Sequence, residues 1–181
     1  MSDLTIKHAG STVTQTRQEV LSNNKKLNQM KVDLIDVEPT VDTSAYTAGD
    51  LMFGPVKIEN AVAVKGGSAI IQSIAVANTD ALTGAFDMVF TQSSNSPGDL
   101  NDPVAGETGL TDANADKVLG ITSVTNMVDV GPNSIGGKTN IGMVIKAAEN
   151  SRDIYVFGIA QSTDNPSSDI GYKLRIGVVQ D

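Results

Sequence analysis

Short apolar runs recur along most of this chain, separated by clusters of glycine, proline, asparagine, aspartate and serine. Runs of this length between turn-forming residues are typical of β-strands, and their regular spacing predicts an all-β sandwich or barrel. We predict about eight strands, the first of them beginning near residue 30. Their expected ranges are 30–37, 51–59, 68–77, 84–92, 121–130, 140–148, 153–161 and 169–179.

Three of these strands indicate which of their faces are buried. In the last one, apolar side chains alternate with glycine and cationic side chains, which predicts one face against the core and one in water. Phe86, Met88 and Phe90 form a second row that should point inward. The segment DIYVFGIAQ, residues 153–161, is apolar on both faces and therefore predicts a central strand or a subunit contact. The apolar row of the last strand consists of Ile170, Tyr172, Leu174, Ile176 and Val178.

The connection from Ser93 to Gly120 interrupts the strand pattern. Its segment TDANADKVLG begins with a helix-capping threonine, has aspartate in the first turn and ends in a glycine stop, so we expect one short surface helix. Asp112, Asn114 and Asp116 superficially resemble the first half of a calcium-binding loop. The sixth and twelfth positions, where that loop needs glycine and glutamate, are lysine and serine here, so a helix start is the better interpretation.

GPNSIGGKT, residues 131–139, comes close to a phosphate-binding loop, which requires the spacing G-x-x-x-x-G-K-[ST]. Counting back from the glycine–lysine pair, the first required glycine falls on Pro132, and proline offers no N–H to a phosphate. The motif also needs a helix after it. Ile141, Met143 and Ile145 alternate on one face, although a helical face could also be drawn, and the β-branched residues favour a strand. We therefore interpret GPNSIGGKT as a turn between strands.

Composition narrows the chemistry that is possible. The chain has no cysteine and one histidine, His8, which excludes disulfide frameworks, zinc–thiolate sites, cysteine nucleophiles and a Ser-His-Asp triad. Acidic residues crowded into 93–119 could supply the two carboxylates of a glycosidase, but this connection offers no aromatic platform for a sugar. We expect no enzymatic activity, no cofactor and no bound metal.

Charge is distributed unevenly along the chain. The net charge is −8, to which residues 1–31 contribute +3 and residues 32–181 the remaining −11. We predict a polar N-terminal arm followed by one sandwich domain with those boundaries. An acidic body argues against nucleic-acid binding, and no apolar stretch is long enough for a membrane span or signal peptide. Lys25, Lys26 and Lys31 of the arm are candidate contacts for an acidic partner.

Three segments resemble a group of tailed-bacteriophage virion proteins, in particular head decoration, or cement, proteins. They are DTSAYTAGDLM at 42–52, GGSAIIQSIAVANTDALTGAFDMVFTQ at 66–92 and DIGYKLRIGVVQD at 169–181. The resemblance covers residues 40–181. It implies a single β-sandwich of jelly-roll type and a homotrimer on the outside of an icosahedral head, where several major capsid subunits meet. In such proteins an N-terminal extension often reaches along the shell or into a neighbouring subunit.

The leading hypothesis is therefore a structural virion protein that decorates and stabilises a bacteriophage capsid by bridging adjacent major capsid subunits on the outer surface. It would be synthesised in the cytoplasm of the host bacterium. The alternative is a tail or baseplate component, or an adhesin that binds host glycans, because jelly rolls serve both purposes. An enzyme working through GPNSIGGKT or the loop carboxylates is the third class.

Overall fold

The structure, a computed structural model, describes residues 4–8, 11–15, 31–104 and 110–180, with side chains from residue 31 onward. The chain divides into two compact units, residues 1–31 and 32–181. In the described part of the first unit, β1 (Leu4–His8) and β2 (Ser11–Gln15) form an antiparallel hairpin. Whether this unit serves as a partner-binding arm stays a prediction.

From residue 31 onward the described residues form nine strands and one four-residue helix. The strands are β3 (Lys31–Val37), β4 (Leu51–Ile58), β5 (Ser68–Asn78), β6 (Phe86–Thr91), β7 (Val118–Val124), β8 (Val128–Asp129), β9 (Ser134–Lys146), β10 (Ile154–Ala160) and β11 (Tyr172–Gln180), and the helix is α1 (Asp112–Ala115). Among the described residues no helix is long and apolar enough to cross a membrane.

The described strands of the second unit form a jelly roll. They make two antiparallel sheets, with the orders β3-β11-β5-β9-β8 and β4-β10-β6-β7. If the two-residue β8 is left aside, the first strand pairs with the last, the second with the second-last, and so on inward to β6 and β7. Such pairing arises when one long antiparallel hairpin wraps into two packed sheets. The predicted β-sandwich is confirmed.

The main hydrophobic core lies between the two sheets. Phe86 is its centre, with its ring edge-on to Phe53 at 6.4 Å and to Tyr172 at 6.0 Å between centroids. The predicted inward rows are confirmed, because Met88, Phe90 and the alternating apolar residues of β11 are all buried. Ile170 is the exception. It precedes β11 and is 66% exposed, so the buried row begins at Tyr172 and not at Ile170 as predicted.

A second, smaller apolar cluster lies on the outer face of the four-stranded sheet. Leu51, Val89 and Phe157 are buried there, and Val104 and Leu110 from the connection between β6 and β7 pack over them. This arrangement explains why the sequence of β10 is apolar on both faces, since the strand is central in its sheet and both of its faces are covered. The predicted central position is confirmed, and its outer face is closed by the chain itself.

Predicted boundaries are wrong at the end of the helix, within the strand 121–130 and at the start of the strand 140–148, which begins at Ser134 as β9. The helix ends at Ala115, with Asp116 as its C-cap. Gly120, its predicted stop, lies inside β7, where a Cβ atom would come within 2.8 Å of the Met143 sulfur. A side chain at this position would therefore have to displace the end of the Met143 side chain, which reaches Gly120 from β9 in the other sheet. The predicted strand 121–130 is two strands, because β7 ends at Val124 after pairing with β6 in one sheet and β8 begins at Val128 beside β9 in the other.

The Asp80 side chain links the connection between β5 and β6 to the connection between β10 and β11 by hydrogen bonds. Its Oδ2 accepts hydrogen bonds from the backbone N–H groups of Ser167, at 2.9 Å, and Ser168, at 3.2 Å. Its Oδ1 accepts a third from the Ser167 hydroxyl at 2.6 Å. These bonds favour the ionised carboxylate and lower the pKa of Asp80.

Acid is therefore expected to destabilise the fold through Asp80. A carboxyl with a lowered pKa contributes stability above its ordinary value of 3.8, and that stability is lost as the pH falls through the folded-state pKa. The pKa values of Asp36 and Asp42 are also lowered, so protonation of these two carboxylates at low pH also lowers the stability of the fold. Burial raises the pKa of Asp164, so its contribution is lost as pH rises and opposes theirs.

We expect the free energy of unfolding to decrease from about pH 5 to about pH 2, and Asp80→Asn to make that decrease smaller. Urea titrations followed by circular dichroism at several pH values measure both. Asp99→Asn, at an exposed aspartate elsewhere on the surface, is the control and should retain the native pH dependence. If the free energy of unfolding of Asp80→Asn depended on pH as that of the native chain does, these hydrogen bonds would contribute nothing measurable to stability.

Candidate interaction surface

GPNSIGGKT does not form a phosphate-binding loop. Only residues 131–133 form the turn, and Ser134 begins β9, which continues as a strand with no helix after it. Gly137 lies opposite Ala75 in the sheet, so this part of the backbone belongs to the strand ladder and does not curl around a ligand. The predicted turn is correct for 131–133, but residues 134–139 are strand.

The acidic connection between β6 and β7 shows no convergent geometry in its described part. The side-chain oxygen of Asn114 accepts hydrogen bonds from the Ser93 hydroxyl at 3.2 Å and the Asn95 amide at 3.4 Å. Across residues 31–104 and 110–180, three or more metal-binding side chains come together nowhere. The calcium interpretation of the DANAD segment gains no support from this arrangement.

The lysines predicted to contact an acidic partner are only partly within the described residues. Lys25 and Lys26 lie outside them, so their role stays a prediction. Lys31 is exposed and is the first residue of β3, at the edge of the five-stranded sheet. One of the three candidate lysines therefore lies at the edge of the five-stranded sheet.

The outer face of the five-stranded sheet carries a line of aliphatic side chains. Val144 of β9, Ile70 of β5 and Val179 of β11 are direct cross-strand neighbours. Leu34 and Val32 of β3 continue the line to the edge of the sheet, since Leu34 lies beside Gly177 of β11 and Val32 shares its face. These five residues are the aliphatic row. Val32, Leu34 and Val144 are 68%, 63% and 65% exposed.

The aliphatic row was missed at the sequence level, although a signal for it existed. In β3, Val32 and Leu34 point to one face while Ile35 and Val37 point to the other, so both faces of this strand contain apolar residues. The same criterion predicted that β10 is covered on both sides. Applied to β3, it would have indicated an outer face that needs a covering partner.

A groove of about 570 Å³ lies on the same outer face. Its floor is formed by Ala75 and Ala77 of β5, whose small side chains leave the sheet surface low. Ile135 of β9, which is 51% exposed, stands on one side of this floor. Longer charged side chains from β3 and β11 stand on the other side, so the floor is flanked by one apolar and one charged wall.

Two ion pairs form the charged wall of the groove. Arg175 Nε donates to Asp36 Oδ1 at 2.7 Å, and Lys173 Nζ lies 3.2 Å from Glu38 Oε1. The hydrogen bond from Arg175 lowers the pKa of Asp36, and the same bond raises the pKa of Arg175. Both pairs are exposed, so they add little to stability. They give the wall equal numbers of positive and negative charges.

The two outer sheet faces differ in what covers them. On the four-stranded sheet, Val104 and Leu110 cover the buried Phe157 and its neighbours. On the five-stranded sheet, the aliphatic row is open to solvent among the described residues. Contiguous exposed apolar surface of this kind marks interaction sites in soluble proteins. The outer face of the five-stranded sheet is therefore the candidate interaction surface.

No protein-family model and no curated protein matches the chain. A chain in a solved structure of Desmodium yellow mottle tymovirus is similar over 84% of this chain and 87% of its own length, with 12% sequence identity and a TM-score of 0.29. At that identity and TM-score the similarity carries no argument about fold or function. The jelly-roll assignment therefore rests on the strand order alone.

Proposed function

We propose that this chain is a structural protein of a tailed-bacteriophage particle that decorates the outside of the head. It stabilises the capsid by bridging adjacent major capsid subunits, and it is made in the cytoplasm of the host bacterium. The observation that carries the proposal is the open aliphatic row, because a structural protein works through the area it buries against its neighbours.

The resemblance to decoration proteins favours the same role on the particle. Two of the resembling segments, 66–92 and 169–181, contain β5 and β11, which form the centre of the candidate interaction surface. The partners are the major capsid protein and further copies of this chain. The homotrimer implied by the resemblance stays a prediction, as does the absence of a cofactor, nucleic acid or membrane from its function.

The copy number of the chain in purified virus particles tests this proposal. Quantitative mass spectrometry against the major capsid protein should give a number that matches a repeated position in the shell lattice. Purified chain should also bind assembled shells better than free capsid subunits. Alanine at Lys25, Lys26 and Lys31 should weaken that binding at low salt, where charges are least screened.

Other outcomes of this measurement separate the alternatives. A handful of copies per particle would assign the chain to the tail or baseplate. Reproducible binding on a glycan array would then favour a host-binding adhesin. Equal binding to assembled shells and free capsid subunits, or binding to neither, would contradict a decorating role.

A further inference from the structure

We propose that a second copy of this chain covers the aliphatic row, so that two copies pack face to face through the outer surfaces of their five-stranded sheets. The role of this contact on the virus particle rests on the proposed function. The contact itself is a property of the purified chain and can be measured without a virus.

The size of the face fits a stable contact between two copies. Its four full strands lie about 4.8 Å apart and run for about 30 Å, which gives roughly 600 Å² in projection and more in accessible surface. A standard interface buries about 800 Å² on each partner. The row crosses the full width of this area, and β-branched and leucine side chains of this kind interdigitate when two sheets pack.

Charge favours this face over the rest of the surface. Counted from Val32, and with Glu38 of the charged wall included, the five strands of the sheet contain four lysine or arginine side chains and four acidic side chains. The rest of residues 32–181 contains four basic and fifteen acidic side chains. Two copies that approach through the remaining surface of residues 32–181 bring together like charges, which costs free energy, whereas here the charges are balanced.

The face is also self-complementary, as a contact between identical copies requires. A twofold contact places the same patch on both sides, so aliphatic side chains can meet aliphatic side chains. The paired charges of Asp36 with Arg175, and of Glu38 with Lys173, can exchange partners across the contact without leaving an excess charge. A partner with one dominant charge would not match them.

This contact is twofold and is separate from the trimer that the resemblance implies. A trimer needs a heterologous contact formed by other surfaces. On a shell, copies seated on neighbouring capsid subunits would be joined in pairs through the aliphatic row. The pairing would supply one way of bridging adjacent subunits.

The test is the mass of the full chain in solution, measured by sedimentation equilibrium. The native chain should form two copies, or six if the trimer forms as well. Val144→Lys should weaken the twofold association by more than about 100-fold and halve the mass, because the contact would have to bury an ammonium group. Ile121→Lys is the matched control, since Ile121 is 57% exposed and lies in β7 of the other sheet, and it should keep the native mass.

Leu34→Lys is a second variant on a different strand and should act as Val144→Lys does. All three positions are exposed, so circular dichroism and the urea midpoint should remain native. A native mass of one or three copies overturns the inference, as does an unchanged mass in Val144→Lys and Leu34→Lys. If association is lost as expected but the chain is scarce in particles, the decorating role fails and the face-to-face contact stands.

Discussion

Replacing Gly137 by alanine is expected to lower the free energy of unfolding by about 3 kcal/mol or more. Gly137 lies in β9 opposite Ala75 of β5. A Cβ atom at this position would come 2.2 Å from the carbonyl oxygen of Ile74 and 3.1 Å from the Cα of Ala75. Both are backbone atoms of an interior strand, so the clash can be relieved only by moving one strand away from the other.

Urea unfolding followed by circular dichroism measures this loss, and two neighbouring substitutions serve as controls. Gly142 has a φ of 65° with no atom within 4 Å of a built Cβ, so Gly142→Ala should cost only about 1–2 kcal/mol of backbone strain. Lys138→Ala, at an exposed side chain, should change stability little. Equal losses for the two glycine variants would contradict the clash. Nucleotide binding that Lys138→Ala abolishes would restore the phosphate-loop interpretation.

Phe157→Ala is expected to cost about 3–5 kcal/mol and to loosen the connection between β6 and β7. Phe157 is fully buried on the outer face of the four-stranded sheet, beneath Val104 and Leu110. Removing its ring leaves a cavity under those two residues, whose packing holds the connection against the sheet. Residues 92–104 should therefore become a site of cleavage in limited proteolysis under native conditions.

Phe86→Ala is the matched control for this prediction. Phe86 is equally buried but lies between the two sheets, where it packs against Phe53 and Tyr172. Its loss should lower the urea midpoint to a similar extent without selective cleavage at 92–104. Cleavage at the same site in both variants, mapped by mass spectrometry, would show that the connection is released by general destabilisation and not by loss of the ring beneath it.

The alternation of apolar and polar residues was sufficient to find most of the strands. It located β6, β10 and β11 to within a few residues and identified their buried faces, because side chains of a strand point alternately to its two sides. It also distinguished a strand with two covered faces, β10, from strands with one. These features depend only on residues close together in the chain.

Features that depend on a distant strand were not accessible in this way. Gly120 was interpreted as a helix stop and Gly137 as part of a turn. Gly120 in fact lies against the Met143 side chain of the other sheet, and Gly137 lies against the backbone of Ile74 in the neighbouring strand. Both interpretations are reasonable for an isolated segment. Only the packed structure shows that a side chain at either position would meet another strand, in the other sheet for Gly120 and in the same sheet for Gly137.

The sequence by itself determined that this chain is an all-β sandwich with a disulfide-free core, because strand periodicity and composition are local properties. The tertiary structure decided which outer face is covered by the described part of a long connection. Val144 and Val89 both lie on outward faces of their strands, yet one is 65% and the other 5% exposed. The difference arises because a connection distant in the chain from β10 and β4 folds over one sheet and not the other, and no local pattern specifies where a long connection packs.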